Sequence, residues 1–292
     1  SGYSQIAIIF PFVVAAPRYF SGKIELGVLM QVAQAFGSVQ GSLSWFVDAY
    51  TVLASWRATC DRLLSFGEAM EENEGRNMGI ELQRQGGGLQ VNNLSLDLAD
   101  GRHLLEGANL TVAEGERLML SGRSGSGKST LLRAMGNLWP NGHGNIRLPA
   151  ERYLFLPQKP YLPIGTLRGV LSYPQEEGAY PAERYAQVLE TCRLAHLIPR
   201  LDEANHWQRM LSPGEQQRLA FARALLFEPQ WLYMDEATSA MDEEDEAALY
   251  QALIDELPGL SIVSVGHRSS LKRFHGRHVR IQDGQLQEQP VS

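Results

Sequence analysis

Hydrophobic and polar positions fall into three regimes along the chain. Residues 1–17 carry no charge, and Ile6 to Val14 is a nearly unbroken apolar run. A second charge-free run covers 22 residues from Leu26 to Val47, close to the ~20 that a helix needs to cross a bilayer. Between them, Arg18, Tyr19, Phe20, Gly22, Lys23 and Glu25 suit a short loop at a membrane–water interface. The pattern predicts the end of one transmembrane helix, a tight turn and a second helix. A secretory signal fits poorly, because no basic region precedes the first run and the chain does not begin with Met. The expectation is instead the C-terminal piece of a longer membrane protein. A buried helical hairpin in a soluble protein is the alternative reading.

The second helix carries a polar stripe. Gln31, Gln34, Ser38, Ser42 and Asp48 recur at helical spacing, while Val28, Val32, Phe36, Val39, Leu43, Phe46 and Leu53 cover other faces. Polar groups at membrane depth face protein or water, so the stripe reads either as a pathway lining or as helix–helix hydrogen bonding. The helical pattern runs on to Met70, roughly 66 Å at about 1.5 Å per residue, and exceeds a ~30 Å hydrocarbon core. Its lower half, with Arg57, Asp61, Arg62 and Glu68, is expected in the cytosol. Residues 71–88 then turn polar and glycine-rich, including Arg76, Asn77 and Gly86-Gly87-Gly88, as a linker should.

Charge separates the regimes further. In residues 1–70, Arg18, Lys23, Arg57 and Arg62 cancel Glu25, Asp48, Asp61 and Glu68, so the net −7 belongs to residues 71–292. That acidic balance argues against nucleic acid as a partner. Cys60 and Cys192 are far apart and form no disulfide or zinc pattern, which suits two inert thiols in a reducing compartment.

Chemistry enters after residue 116. Gly122-Arg123-Ser124-Gly125-Ser126-Gly127-Lys128-Ser129 fits G-x-x-x-x-G-K-[ST], with a strand at Arg117–Leu120 before it and a helix from Thr130 after it. Strand, glycine loop and helix N-terminus make an anion site whose N–H groups face phosphate oxygens. Lys128 would reach the β and γ phosphates and Ser129 would hold Mg²⁺. A second strand, Trp231–Met234, ends in Asp235-Glu236; Asp235 suits Mg²⁺ and Glu236 suits a general base for the attacking water. Between them, Leu211-Ser212-Pro213-Gly214-Glu215-Gln216-Gln217 reads locally as a helix start, with Ser212 at the N-cap, Pro213 at N1 and Glu215 at N3.

Together with Gln158, Ser239-Ala240-Met241-Asp242 and His267, these motifs resemble the nucleotide-binding domain of ABC transporters, over roughly residues 80–286 and in the family's order. Gly136–Pro140, Leu156–Arg168 and Gly266–Leu271 are similar to one branch, the peroxisomal fatty acyl-CoA half-transporters and their bacterial vitamin B12 and antimicrobial-peptide transporter relatives. The loop Tyr19–Ile24 and the long helix after it are similar to that branch's last two membrane helices.

The resemblance implies an α/β P-loop NTPase with a helical subdomain, preceded by a fragment of an all-α transmembrane domain. Its expected division is 1–70 membrane fragment, 71–88 linker and 89–292 nucleotide-binding domain. It implies ATP held by Gly122 to Thr130, with Ser212 and Gly214 addressing the γ-phosphate on a second chain and Asp242 at the interface between two ATP sites. Gln158 would sense Mg²⁺ and the attacking water, and His267 would hydrogen-bond the γ-phosphate and position Glu236. It implies an ATPase driving transport of a small-molecule, lipid-like or peptide substrate, as a homodimer in the lipid of a bacterial inner membrane with the ATPase domain in the cytoplasm. A non-transport ABC ATPase and a non-hydrolysing regulatory module are the alternatives. The apolar runs speak against the first, and Glu236 with His267 against the second.

Two departures stand out. Pro213 replaces a glycine common in the family. The aromatic that usually stacks on adenine falls, by counting back from the phosphate loop, near Leu96, where there is none. His275 and His278, lacking carboxylate or cysteine company, are expected at the surface.

Overall fold

The structure, a computed structural model, describes residues 2–75, 79–98, 100–150 and 152–290. It divides into two compact units, Ser1–Asn77 and Met78–Ser292.

The first unit is a helical hairpin of α1 (Gly2–Phe20) and α2 (Leu26–Gly75). The turn closes as the N–H groups of Ser21, Gly22 and Lys23 donate to the carbonyls of Pro17, Tyr19 and Arg18. Gly22 takes φ +73 there, a left-handed conformation that glycine adopts without Cβ strain. Phe10 and Phe36 meet across the hairpin with ring centroids 5.7 Å apart. α2 outruns the expected end at Met70, and its 50 residues span about 75 Å. Ser42 of the polar stripe donates its hydroxyl to the Ser38 carbonyl at 2.9 Å, one turn back in the same helix. The Asp48 side chain, like Ser1, Arg76 and Asn77, lies outside the described residues.

Among the described residues no helix is long and apolar enough to cross a membrane, which corrects the expectation drawn from Leu26–Val47. Absence of charge is not the same as apolarity. Gln31, Gln34, Ser38, Gln40, Ser42 and Ser44 dilute that stretch, and the strongly apolar part of α1 is short.

Among the described residues the second unit holds twelve strands. They are β1 (Ile80–Arg84), β2 (Leu89–Asp97), β3 (His103–Val112), β4 (Arg117–Gly122), β5 (Gly142–Leu148), β6 (Tyr153–Leu156), the two-residue β7 (Gly165–Thr166) and β8 (Ala204–Asn205), β9 (Trp231–Asp235), β10 (Ser261–Val265), β11 (Arg277–Gln282) and β12 (Gln285–Gln289). Its helices are α3 (Lys128–Met135), α4 (Leu167–Ser172), α5 (Ala182–Thr191), α6 (Trp207–Met210), α7 (Pro213–Phe227) and α8 (Glu243–Glu256). One sheet has the order β1-β5-β2-β3, a second β12-β11-β4-β10-β9-β6, and β7 pairs with β8 alone. β1 falls inside the expected 71–88 linker but pairs in parallel with β5. The linker is therefore shorter, and the compact unit begins ahead of residue 89.

Strand alternation builds two cores on opposite faces of the six-stranded sheet. Leu118, Leu120, Trp231, Tyr233, Val263 and Val265 face the four-stranded sheet and α3. Met119, Leu232, Met234 and Ile262 face the helices, where Leu167, Tyr185, Trp207, Phe221 and Tyr250 complete the packing. A strand buried on both faces is apolar at every position, which is why Trp231–Met234 shows no polar alternation.

His275 and His278 are buried, contrary to the surface expectation. His275 Nε2 lies 2.5 Å from Ser264 Oγ, and Nδ1 lies 2.8 Å from the Leu271 carbonyl. Burial among apolar neighbours pushes its pKa down to about 4. Cys60 and Cys192 are both free, and burial raises the Cys192 thiol pKa.

Candidate functional site

Sheet order explains why distant motifs meet. β4, β10, β9 and β6 are parallel neighbours, so their C-terminal ends lie along one sheet edge. From those ends come the phosphate loop after β4, Gly266-His267 after β10, Asp235-Glu236 at β9 and Gln158 beyond β6. Ligands of open α/β sheets sit outside such strand ends.

The loop wraps its own lysine. Lys128 Nζ donates to the carbonyls of Gly122 and Arg123 at 3.1 and 2.9 Å. Gly125 and Gly127 take φ +77 and +95, which a side chain would strain, and Gly127 caps the N-terminus of α3. Burial lowers the Lys128 pKa, while the carboxylates of Glu236 and Asp235 oppose that shift. A cavity of about 450 Å³ opens against this loop, lined by Ser124, Gly125, Gly127, Lys128, Ser129, Thr130 and Glu236, and on the other side by Leu98, Arg102, His103 and Leu104.

The acids follow as a graded pair. Asp235 is buried; Ser129 Oγ donates to its Oδ1 at 2.6 Å, and Arg133 Nη2 stands 3.9 Å from Oδ2. Glu236 adopts φ +49, an uncommon conformation for a residue with a side chain. Its Oε2 accepts from Gln158 Nε2 at 3.0 Å, and its Oε1 lies 3.2 Å from His267 Nε2. The strained turn thus aims the carboxylate away from the strand and between two polar side chains. Ser129, Asp235, Gln158 and Glu236 offer only oxygen donors towards a cation, a set that fits Mg²⁺. The described residues contain no cluster of three or more His, Cys, Asp or Glu that could hold a metal. A Mg²⁺ carried mainly by nucleotide phosphates does not need one.

The Ser212 motif lies elsewhere. Neither Ser212 nor Gly214 lines the cavity at the phosphate loop. The capping box is present, with Ser212 N donating to Glu215 Oε2 at 2.9 Å and Glu215 N to Ser212 Oγ at 3.3 Å. Hydrogen bonds from Ser212 hold the Glu215 carboxyl below its usual range. Pro213 occupies N1, where no intrahelical N–H is missed. A Cβ on Gly214 would come within 3.1 Å of the Ala240 carbonyl, so the helix start and the Ser239–Asp242 loop touch. Asp242 itself caps α8, accepting from Asp245 N at 2.7 Å.

Two features were not visible in the sequence. Gln217, almost wholly buried, donates to the Gln158 carbonyl and to Ser239 Oγ and accepts from Ala240 N, joining three motifs. And Leu96 is a core residue with no exposed surface, so it cannot meet a base. Register shifts in β2 between Val91 and Leu96 defeat counting along the chain; Leu98, two residues on, reaches the cavity. Beside it, His103 Nδ1 is 2.6 Å from Asp97 Oδ1.

Residues 105–239 match the ABC transporter family, and residues 1–71 match the SbmA/BacA-like family. Residues 105–239 thus carry the ATP-binding domain of ABC transporters. An uncharacterized ABC transporter ATP-binding protein of Haemophilus influenzae is 41% identical over 97% of this chain and 48% of its own length. ABC transporter D family member 2, chloroplastic, of Arabidopsis thaliana is 32% identical over 96% of this chain and 50% of its own. The inner membrane ABC transporter ATP-binding protein YddA of Escherichia coli is 33% identical over 91% and 46%. The chain thus spans about half the length of the curated relatives it matches. Relatives named as D family members and bacterial ATP-binding proteins are both represented, and the second unit is an ABC-type ATP-binding domain.

Proposed function

We propose that this chain is the ATP-hydrolysing C-terminal part of an ABC half-transporter that couples hydrolysis to movement of a substrate across a membrane, working as a pair of identical chains. The observation that carries the reading is Glu236, held between Gln158 and His267 at the mouth of the phosphate-loop cavity. In a regulatory module that only bound nucleotide, a strained carboxylate in that place would serve nothing.

The roles follow from the geometry. Backbone N–H groups of Gly125 to Ser129 and the Lys128 ammonium bind the β and γ phosphates. Ser129 and Asp235, with Gln158 close by, would hold Mg²⁺, which would supply neutralisation of phosphate charge. Glu236 accepts a proton from the water that attacks the γ-phosphorus as the bond to the β-phosphate oxygen breaks. His267 keeps Glu236 oriented and hydrogen-bonds the γ-phosphate. Ser212 and Gly214 sit away from their own chain's cavity, and so complete the site of a second chain. In the first unit, the polar stripe faces protein or a polar path and the exposed apolar faces meet lipid or neighbouring helices, in a bacterial inner membrane, with the ATPase domain in the cytoplasm.

Glu236→Gln should keep ATP affinity and lose turnover by about a thousandfold or more, since the base alone is removed. Full ATPase activity in that variant would overturn the assignment. The shared site has its own test. Lys128→Ala disables one chain's phosphate loop, and Ser212→Arg blocks its contribution to the partner. Each should be inactive alone, yet co-expression should restore about a quarter of the wild-type rate through random pairing, because each mixed dimer keeps one intact site. No recovery would count against a site built from two chains.

A further inference from the structure

Between the Glu236 turn, the His267 loop and the start of α8 lies a buried carboxylate that the roles above leave unused. Glu246 is 1% exposed. Its Oε1 accepts from Thr238 Oγ1 at 2.5 Å and its Oε2 from Ser270 Oγ at 3.1 Å. Arg268 places Nη1 3.6 Å from Glu246 Oε1 and donates from Nη2 to the Ser239 carbonyl at 3.4 Å. Thr238 is two residues past Glu236, and Arg268 directly follows His267. One carboxylate therefore holds both segments that meet at the 3.2 Å contact between Glu236 and His267. A cavity of about 120 Å³ opens beside those segments, with Glu236, His267, Thr238, Glu246 and Arg268 among its walls. The strand ends themselves are joined, since Glu236 N donates to the Val265 carbonyl at 3.1 Å, and the links through Glu246 fix the residues beyond them.

We infer that Glu246, with Arg268 as its counter-ion, is a positioning residue for hydrolysis: it ties the Glu236 turn to the His267 loop and to the Ser239–Asp242 loop, so that base, histidine and interface loop shift as one body. A buried carboxylate is costly unless it is hydrogen-bonded and paired, and here two hydroxyls and a guanidinium meet that cost. Phosphate binding draws on a different set, Lys128 and the loop amides. The clamp should therefore govern the rate of the chemical step and leave nucleotide affinity alone.

The inference rests on Glu236 acting as the base, and the test separates the two. Glu236→Gln, Glu246→Gln, Thr238→Val and Thr238→Ser are compared in the full chain by kcat, KM for ATP, binding of ATP in the absence of turnover, and thermal midpoint. Glu246→Gln and Thr238→Val should each lower kcat tenfold or more, with KM and ATP binding within twofold of the unaltered chain. Thr238→Ser keeps the hydroxyl and should keep kcat. Thr238→Val retains the side-chain volume and gives a reading should Glu246→Gln fold poorly. If Glu236→Gln abolishes turnover while Glu246→Gln and Thr238→Val leave kcat unchanged, the clamp is refuted and the base assignment stands. A parallel rise in KM, or Thr238→Ser as damaged as Thr238→Val, would mean a merely structural role. Full activity in Glu236→Gln would remove the reading on which the clamp depends.

Discussion

Leu120 in β4 and Leu43 in α2 are the same residue in opposite circumstances, one with no exposed surface and the other 63% exposed. The contrast extends through both units. In the ATP-binding unit the large aliphatic residues sit in two cores on either side of one sheet. In the helical hairpin, Val13, Val39, Leu63 and Phe66 stand open. Exposed apolar surface on that scale marks a contact surface, with lipid or with further protein. One unit satisfies its own apolar residues, and the other requires surroundings to do so.

A lysine placed at each leucine breaks the contrast most directly. Leu120→Lys puts an unpaired charge between β4 and its core and should cost more than about 4 kcal/mol, enough to unfold the ATP-binding unit and abolish ATP binding. Leu43→Lys should change the stability of that unit by less than about 0.5 kcal/mol. It should instead weaken association of the hairpin with membranes, read as a smaller floating fraction. Denaturant melts followed by ATP binding, set beside flotation with vesicles, read the two effects. Equal damage to ATP binding by both variants would dissolve the distinction.

The same contrast explains what could be read from the sequence. The phosphate loop was legible because its glycines and lysine meet backbone demands at fixed local spacing, and Asp235-Glu236 because a doubly buried strand must end where polarity returns. The turn at Gly22 was legible for a similar reason. Misreadings arose wherever distant parts of the chain decide the outcome. β1 looked like linker because Ile80–Arg84 is half polar, and only pairing with β5 makes it a strand. Leu26–Val47 looked like a span because its length and lack of charge were weighed above the amide and hydroxyl groups of its polar stripe. Gln217 and Glu246 showed nothing locally, since their partners lie in other motifs. His275 looked superficial because no spacing rule announces a buried imidazole.

His275 adds a sharper test of which unit fails under stress. Its pKa falls from 6.5 to about 4 on folding because burial disfavours the charged ring. An unfolded chain takes up the proton near pH 6.5, whereas the folded one resists until about pH 4. Stability is therefore intact above about pH 6.5 and declines as pH falls towards 4, by up to about 3 kcal/mol from this group. His275→Gln should flatten that decline. The measurement is the pH dependence of unfolding free energy of the ATP-binding unit, and an unaltered acid slope in the variant would dismiss His275 as its source.

The smallest effect brings the contrast down to two residues of one segment. Leu96 faces the core with no exposed surface, while Leu98 is half-buried and lines the cavity beside Leu104 and His103. If the base of ATP lies against this wall, an aromatic ring at 98 would offer it a stacking face and one at 96 would not. Base–aromatic stacking reaches about 1–3 kcal/mol, and because the wall already holds Leu104 and the imidazole of His103, Leu98→Tyr should gain only about 1 kcal/mol, roughly fivefold in affinity. Leu96→Tyr should tighten nothing; it overpacks the core between β2 and β3 and should destabilise the unit by about 1–3 kcal/mol. Titration of ATP into both variants, with GTP as competitor, distinguishes the positions. Tighter binding in Leu96→Tyr, or weaker binding in Leu98→Tyr, would show that the base sits against some other wall, whereas a gain confined to residue 98 would locate it beside the Asp97–His103 pair.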